Sequence, residues 1–193
     1  MFEHLIEYRY IFVTGPHRSG TTICSKMIAQ DTGHDLIMED EFKGSNLNQL
    51  SAFTQADYSP MVIQCPFLSD IIHDLNWLIG QDMDKTLIVF MHRYLKHIIE
   101  SEERVEKVDF NSVARGQKNK YHTDSQQHIS DIKYEAWEDQ REIIPHYLDV
   151  GYESLSEHPL WIQDRQNLEF QHEIAKPKLP RQFADGIRTL QEI

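Results

Sequence analysis

The chain has 193 residues, enough for one compact domain with a core, and we expect a single domain over residues 1–193. Its 19 basic and 31 acidic side chains give a formal net charge of −12. That balance argues against a nucleic-acid binder, which would carry a basic excess, but one positive pocket could still hold a small anion. The sequence has no run near the ~18 apolar residues of a membrane span, nor a basic segment ahead of an apolar one at its start. We therefore expect a cytoplasmic protein that does not enter a membrane.

Short apolar runs alternate with amphipathic stretches along the chain. The runs that predict strands are residues 10–14, 36–38, 61–65, 86–91 and 146–150. The stretches with helical spacing are residues 21–30, 67–78, 94–105 and 132–144. The polar segment 111–130 is predicted to be a mobile loop or lid. Strands that alternate with helices indicate an α/β domain with a mostly parallel sheet, which binds its ligand at the carboxyl ends of the strands.

Cysteine and histidine patterns give no sign of a metal site. Cys24 and Cys65 are far apart and form no CxxC pair, so buried thiols are the expectation. The 11 histidines are scattered, and no pair has a convincing metal-ligand context. We predict that the protein holds no metal ion of its own.

A glycine-containing loop links the first predicted strand to the first predicted helix, and it reads Gly15-Pro16-His17-Arg18-Ser19-Gly20-Thr21-Thr22. Glycines let a backbone turn tightly and approach a ligand. Successive N–H groups then form a nest for an anion, and the start of the following helix adds unpaired N–H groups and a positive dipole end. The loop is therefore predicted to bind a phosphate group, and a strand-to-helix turn without a ligand is the alternative.

The loop departs from the Walker A pattern at one position. Gly15 and Gly20 have the Walker A spacing, but Thr21 stands where that motif has its lysine. The lysine reaches the β- and γ-phosphates of a nucleoside triphosphate, so its replacement counts against a conventional ATPase or GTPase. Arg18 is the nearest cation, and it suits a shorter anionic chain.

The loop resembles the Arg/Lys-Ser-Gly-Thr-Thr loop of sulfotransferases, which holds the 5'-phosphosulfate of 3'-phosphoadenosine 5'-phosphosulfate (PAPS). Two more segments match in family order. Arg93 and Ser101, eight residues apart after a strand, are similar to the pair that binds the donor's 3'-phosphate, although Leu95 replaces the usual proline. Residues 147–160 are similar to a late strand and turn. The resemblance implies a three-layer α/β/α, P-loop kinase-like fold and transfer of a sulfuryl group from PAPS to a hydroxyl or amine, which leaves 3',5'-diphosphoadenosine (PAP).

The resemblance also implies roles for individual residues. Arg18 would stabilise charge on the bridging oxygen, and Glu41, or Glu39 in its place, would be the catalytic base, with a solvated acidic loop as the alternative. Gln64 stands where the family has a lysine, and His17 or His92 would then supply some of the missing charge. The residues expected to hold the donor are Pro16, His17, Arg18, Ser19, Gly20, Thr21, Thr22, Arg93 and Ser101.

Two other functions stay open at this point. One is a P-loop small-molecule or nucleotide kinase, and the other is a nucleotide-binding protein without catalysis, which the loss of a lysine at Gln64 favours. The acceptor, whether a small molecule, a glycan or a peptide, is expected to bind between loops at residues 42–60 and 111–130. A second copy in a homo-oligomer could complete that site.

Overall fold

The computed structural model describes residues 1–42, 47–55, 59–70, 72, 80–101, 134 and 137–163. Five parallel strands form one sheet in the order β2-β3-β1-β4-β5. The strands are β1 Tyr10–Thr14, β2 Asp35–Ile37, β3 Met61–Gln64, β4 Thr86–His92 and β5 Tyr147–Gly151. All five predicted strands are therefore confirmed, with ends displaced by at most one residue. The parallel α/β architecture is confirmed with them.

The apolar runs are continuous because both faces of the sheet are covered. In the central strand β1, Phe12 faces one core with Ile63 and Phe90, and Val13 faces the other with Met91. Every residue of β1 is buried. Because parallel strands end at the same edge, the chain leaves β1, β3, β4 and β5 on one side of the molecule, where the predicted phosphate loop begins.

Helix α1, Thr21–Thr32, packs on the Val13 face of the sheet and buries Met27 and Ile28. It ends at Gly33, whose φ of 72° lets the chain turn and whose amide donates to the Ala29 carbonyl oxygen at 2.9 Å. The helix predicted for residues 21–30 is therefore confirmed and runs two residues further. Gly33 is exposed, and no atom lies within 4 Å of the position that its Cβ would take, so its turn does not depend on contacts with other side chains.

Helix α2, Leu47–Gln55, corrects the expectation of an irregular loop at residues 42–60. Leu50 is buried in the Phe12 core, and the Thr54 carbonyl oxygen accepts a 2.6 Å hydrogen bond from the Tyr10 hydroxyl. The sequence pattern did not predict this helix, because most of its residues are polar. Burial of a few side chains against the sheet decides the conformation, since helix stability in proteins comes mainly from tertiary packing.

The remaining helical segments are short. Residues 95–101 and 159–163 are helical, and the 3₁₀ helices are Glu3–Glu7, Glu39–Phe42, Pro66–Asp70, Gly80–Lys85, Arg141–Ile143 and Tyr152–Glu157. The α-helix predicted from residue 67 is wrong at its start, because Pro66–Asp70 is a 3₁₀ helix. The predicted mobile loop at 111–130 lies outside the described residues, so the single-domain prediction for 1–193 stays a prediction.

The chain's two cysteines, Cys24 and Cys65, are both fully buried and do not form a disulfide, as predicted. Burial raises the pKa of the Cys24 thiol well above its ordinary value. Within the described ranges, no helix is long and apolar enough to cross a membrane.

Candidate phosphate-binding site

The loop between β1 and α1 has three residues with left-handed backbone. Gly15 has φ 134°, Arg18 φ 66° and Gly20 φ 101°. Arg18 is the one non-glycine residue with positive φ in the described part of the chain. Turns that mix right- and left-handed residues direct successive N–H groups to one side and so form an anion nest. The loop therefore has the backbone that phosphate binding requires.

Two glycines of the loop lie too close to their neighbours to carry a side chain. A Cβ on Gly15 would come within 2.9 Å of the Met91 carbonyl oxygen, and a Cβ on Gly20 within 2.4 Å of Cδ2 of Tyr152. Met91 belongs to β4, and Tyr152 follows β5 directly. The loop is thus held between two strand ends that lie far from it in the sequence.

The start of α1 opens on this loop. The Cys24 amide donates to the Gly20 carbonyl oxygen at 3.1 Å, which begins the helix, and Gly20 provides no side-chain cap. The Ser19 amide donates to Pro16 at 3.1 Å, whereas the buried Ser19 hydroxyl has no hydrogen-bond partner among the described residues. A helix start with uncapped N–H groups is a favourable place for an anion.

Arg18, Arg93 and Ser101 form one cluster beside the loop. Arg18 Nε donates to Ser101 Oγ at 3.1 Å, and an Nη of Arg93 donates to the Arg18 carbonyl oxygen at 2.7 Å. The Arg93 guanidinium also lies 4.1 Å from the centre of the Tyr152 ring. The sequence suggested two separate anion sites, whereas the structure joins their residues in a single site. Their binding roles stay predictions.

Thr21, at the Walker lysine position, points into the protein. Gln64 Nε2 donates to the Thr21 hydroxyl at 3.3 Å, and the Glu39 amide donates to Gln64 Oε1 at 3.1 Å. Thr21 and Gln64 are each 5% exposed. Gln64 therefore ties the start of α1 to the end of β3 and to the turn after β2. The side chain of Thr22 is exposed on the loop.

The candidate base Glu41 is occupied by its own turn, since its Oε1 accepts from the Met38 amide at 2.8 Å. Glu41 is exposed and Glu39 half-buried. His17 is exposed on the loop. The catalytic roles predicted for Glu39 and Glu41 stay predictions.

A cavity of about 630 Å³ opens at the carboxyl ends of β4 and β5, next to Arg93. The described residues that line it are His92, Arg93, Tyr94, Leu95, Tyr134, Glu138 and Glu153. Burial raises the pKa of the Tyr134 phenol, whose hydroxyl accepts from the Arg93 amide at 3.0 Å. Sequence analysis missed Tyr134, Tyr152 and Glu153. A usable signal existed for the last two, because they follow a predicted strand just as Arg93 does.

A histidine–carboxylate pair stands at the edge of this cavity. His92 Nε2 lies 2.7 Å from Asp149 Oδ1, which also accepts from Trp137 Nε1 at 2.8 Å. Within the described residues, no three His, Cys, Asp or Glu side chains form a group that could hold a metal ion.

Solved structures share this fold, although no protein-family model and no curated protein matches the sequence. Shikimate kinase from Acinetobacter baumannii, solved with shikimate, matches with a TM-score of 0.50 and 10% identity over 92% of this chain and 99% of its own. The YorR protein from Bacillus subtilis, solved with phosphorylated GDP, matches with a TM-score of 0.52 and 12% identity over 85% of this chain and 98% of its own. The chain therefore has the shikimate kinase-like P-loop α/β fold.

The prediction of a sulfotransferase is wrong. The solved structures that the chain resembles are a shikimate kinase and a protein crystallised with a guanine nucleotide, and they agree better with the second function considered, a P-loop kinase. The loop alone could not separate the two, because phosphosulfate and phosphate chains both bind a backbone nest at a helix start. No observation tests binding of PAPS or PAP, which stays a prediction from the sequence.

Proposed function

We propose that the protein is a P-loop kinase that transfers the terminal phosphoryl group of a nucleoside triphosphate to a small acceptor. The observation that carries this proposal is the loop from Gly15 to Thr22, with its three left-handed residues, at the start of α1. The nest and the helix dipole act on the phosphates together. The shared fold with the shikimate kinase structure supports the same reading.

Positive charge at the phosphates would come from arginines in place of the Walker lysine. Arg18 lies within the loop, and Arg93 contacts the Arg18 carbonyl oxygen at 2.7 Å. Phosphoryl transfer depends mainly on positioning and on neutralising charge that spreads over the phosphate oxygens. Two guanidiniums that converge on the loop can do this, because each offers several donors in a fixed plane.

A magnesium ion would accompany the nucleotide, and Thr22 is the residue that fits it. Thr22 occupies the position at which a Walker loop has its magnesium-binding hydroxyl, and its side chain is exposed. Mg²⁺ commonly keeps several waters and takes its other ligands from phosphates and one or two protein oxygens. One protein hydroxyl on the loop is therefore enough, because phosphate oxygens and waters can supply the other ligands of the ion. The ion would then neutralise phosphate charge at the loop.

Calorimetric titration of the protein with Mg²⁺-ATP and Mg²⁺-GTP tests the proposal. We expect binding of at least one of them, weakened roughly 10- to 100-fold by Arg18→Ala, because that variant loses charge-assisted hydrogen bonds. Lys26→Ala is the matched control, since Lys26 is an exposed cation of α1. Equal affinity of the Arg18→Ala variant and the parent protein would show that the Arg18 side chain does not hold the nucleotide, and failure of the parent protein to bind either nucleotide would contradict the proposal.

A nucleotide-binding protein without transfer is the second candidate. The buried hydroxyl of Thr21 favours it, because a lysine from that position normally contacts the β- and γ-phosphates. Release of ADP from bound ATP separates the two functions. If the parent protein releases ADP steadily and Arg18→Ala abolishes this release, the kinase is supported. If the protein binds ATP but releases no ADP, the second candidate is supported.

A further inference from the structure

The cavity at the ends of β4 and β5 adjoins the phosphate loop through consecutive residues. His92 and Arg93 both line it, and Arg93 donates to the Arg18 carbonyl oxygen. The carbonyl oxygen of the residue before them, Met91, would lie 2.9 Å from a Cβ added to Gly15, so the end of β4 packs closely on the loop. A molecule in this cavity would therefore lie next to the terminal phosphate of a nucleotide bound on the loop. The cavity has the location that a phosphoryl acceptor needs.

The His92 ring is fixed in one tautomer by its partner. Ionised Asp149 can only accept a hydrogen bond, so Nε2 of His92 carries the proton in their 2.7 Å contact and Nδ1 keeps a lone pair. Nδ1 has no hydrogen-bond partner in the described part of the chain. The ring also stacks on Tyr134, with centroids 5.6 Å apart and planes 15° apart. These contacts hold the imidazole with one basic nitrogen available.

Asp149 is itself held in place. Its Oδ1 accepts from Trp137 Nε1 at 2.8 Å, and an Nη of Arg141 lies 3.6 Å from its Oδ2. The Trp137 ring stacks on Phe90 with centroids 4.5 Å apart, which fixes the donor in the core. A carboxylate oriented in this way stabilises the imidazolium that forms when histidine takes a proton.

Several charged groups surround His92. Asp149 contacts the ring directly, with Arg141 behind, and the cavity adds Glu138, Glu153 and Arg93 together with the Tyr134 hydroxyl. The surroundings of His92 thus contain three carboxylates and two guanidiniums. Because Glu153 lines the cavity, its carboxylate can accept a hydrogen bond from a hydroxyl or amine of an acceptor.

We propose that His92, positioned by Asp149, is the general base for an acceptor hydroxyl held in this cavity; this rests on the proposed kinase function. Nδ1 of His92 removes the hydroxyl proton while the oxygen forms a bond to the terminal phosphorus. The bond from that phosphorus to the bridging oxygen breaks, and its electron pair stays on the nucleoside diphosphate. With water as acceptor, the products are ADP and inorganic phosphate.

The test uses water as the acceptor and measures ADP release from Mg²⁺-ATP between pH 5 and pH 9. We expect the rate to rise with pH as the imidazole loses its proton. His92→Gln lowers kcat roughly 100-fold or more and removes this rise, because a positioned base contributes at least that much. Asp149→Asn also lowers kcat, because the imidazolium that forms during the reaction loses its carboxylate. Neither variant changes the affinity for ATP in calorimetry.

His146→Gln is the matched control, since His146 precedes β5 at the opposite end of that strand and its ring lies 5.4 Å, centroid to centroid, from that of Tyr8. Its rate and pH profile stay those of the parent. Unchanged kcat and pH profile in His92→Gln, with normal ATP binding, overturn the role of His92 and leave the kinase proposal intact. If the parent protein binds ATP but releases no ADP, the role of His92 is overturned too. Absence of binding of both ATP and GTP is the distinct failure of the proposed function itself.

Discussion

Arg93 and Arg18 lie side by side at the phosphate loop, joined by a 2.7 Å hydrogen bond from the Arg93 guanidinium to the Arg18 carbonyl oxygen. This bond holds Arg18 in a left-handed conformation that few non-glycine residues adopt. The Arg93 guanidinium also lies over the Tyr152 ring, whose π face attracts a cation. A phosphate bound at the loop would add an anion beside these two arginines.

Replacement of Arg93 separates its support of the loop from its charge. Arg93→Lys keeps the charge but cannot match the planar donor set, so we expect ATP affinity to fall about tenfold, and Arg93→Ala to lower it further. Calorimetry at two salt concentrations measures both effects. Lys96→Ala, at an exposed cation three residues further along the chain, is the control. An Arg93→Lys variant that binds like the parent would show that charge alone matters.

Gly20→Ala is expected to destabilise the fold by about 3 kcal/mol, since it combines backbone strain with a clash. The new methyl group would lie 2.4 Å from Cδ2 of Tyr152 at a φ of 101°. Gly33→Ala is the control, with φ 72° and no atom within 4 Å, and it should cost about 1 kcal/mol. Urea unfolding measures both. If the two variants lose the same free energy of unfolding, the loop and the Tyr152 ring must move apart to make room for the methyl group.

Thr22→Ala is expected to reduce the magnesium-dependent part of ATP affinity about tenfold, because it removes the proposed hydroxyl ligand. Binding of ATP in EDTA should be unchanged. Thr22→Ser keeps the hydroxyl and should retain the parent's dependence on Mg²⁺. If Thr22→Ala responds to Mg²⁺ as the parent does, Thr22 does not hold the ion.

Asp31 is expected to make stability depend on pH in the acid range. Burial acts to raise the pKa of Asp31, but hydrogen bonds from the Phe2 amide, the N-terminal ammonium and His158 outweigh it and lower that pKa below its ordinary value of 3.8. A carboxyl whose folded pKa is lowered contributes stability above its unfolded pKa and loses it as pH falls through the folded value.

Asp31→Asn should therefore cost about 2 kcal/mol at pH 7, and it should flatten the loss of stability between pH 5 and pH 3. Urea unfolding across that range measures the effect. Asp84→Asn, at an exposed position, should leave the pH dependence unchanged. If the free energy of unfolding falls with pH to the same extent in Asp31→Asn and in the parent protein, other carboxylates cause the acid sensitivity.

The strands and the glycine turn between β1 and α1 were predictable because their signals are local. Continuous apolar runs such as 86–91 fit only a sheet covered on both faces, and Gly15 and Gly20 mark a loop whose backbone needs positive φ. That Arg93 and Ser101 follow the same strand was also visible in the sequence, and in the structure each of them contacts Arg18. Helix α2 was not predictable, because the few buried side chains that stabilise it become apparent only against the sheet.

The function was misjudged because a short anion-binding loop does not encode the length of the anion. Thr21 in the lysine position favoured a short donor, yet the cluster of Arg18 and Arg93 provides two cations that no single motif contains. Tyr152 and Asp149 also escaped sequence analysis. Their importance lies in contacts with Gly20 and His92, and such contacts arise only after β4 and β5 pair.

The contact between Gly20 and Tyr152 links the beginning of the chain to a segment that is synthesised much later. A ribosome releases β1 and the glycine loop early, but the aromatic ring that fills the space beside Gly20 emerges only after β5. Closing such a long loop of chain is slow relative to local helix formation. A nascent chain would thus hold β1 and α1 well before Tyr152 could pack beside Gly20, so completion of the proposed phosphate site depends on β5.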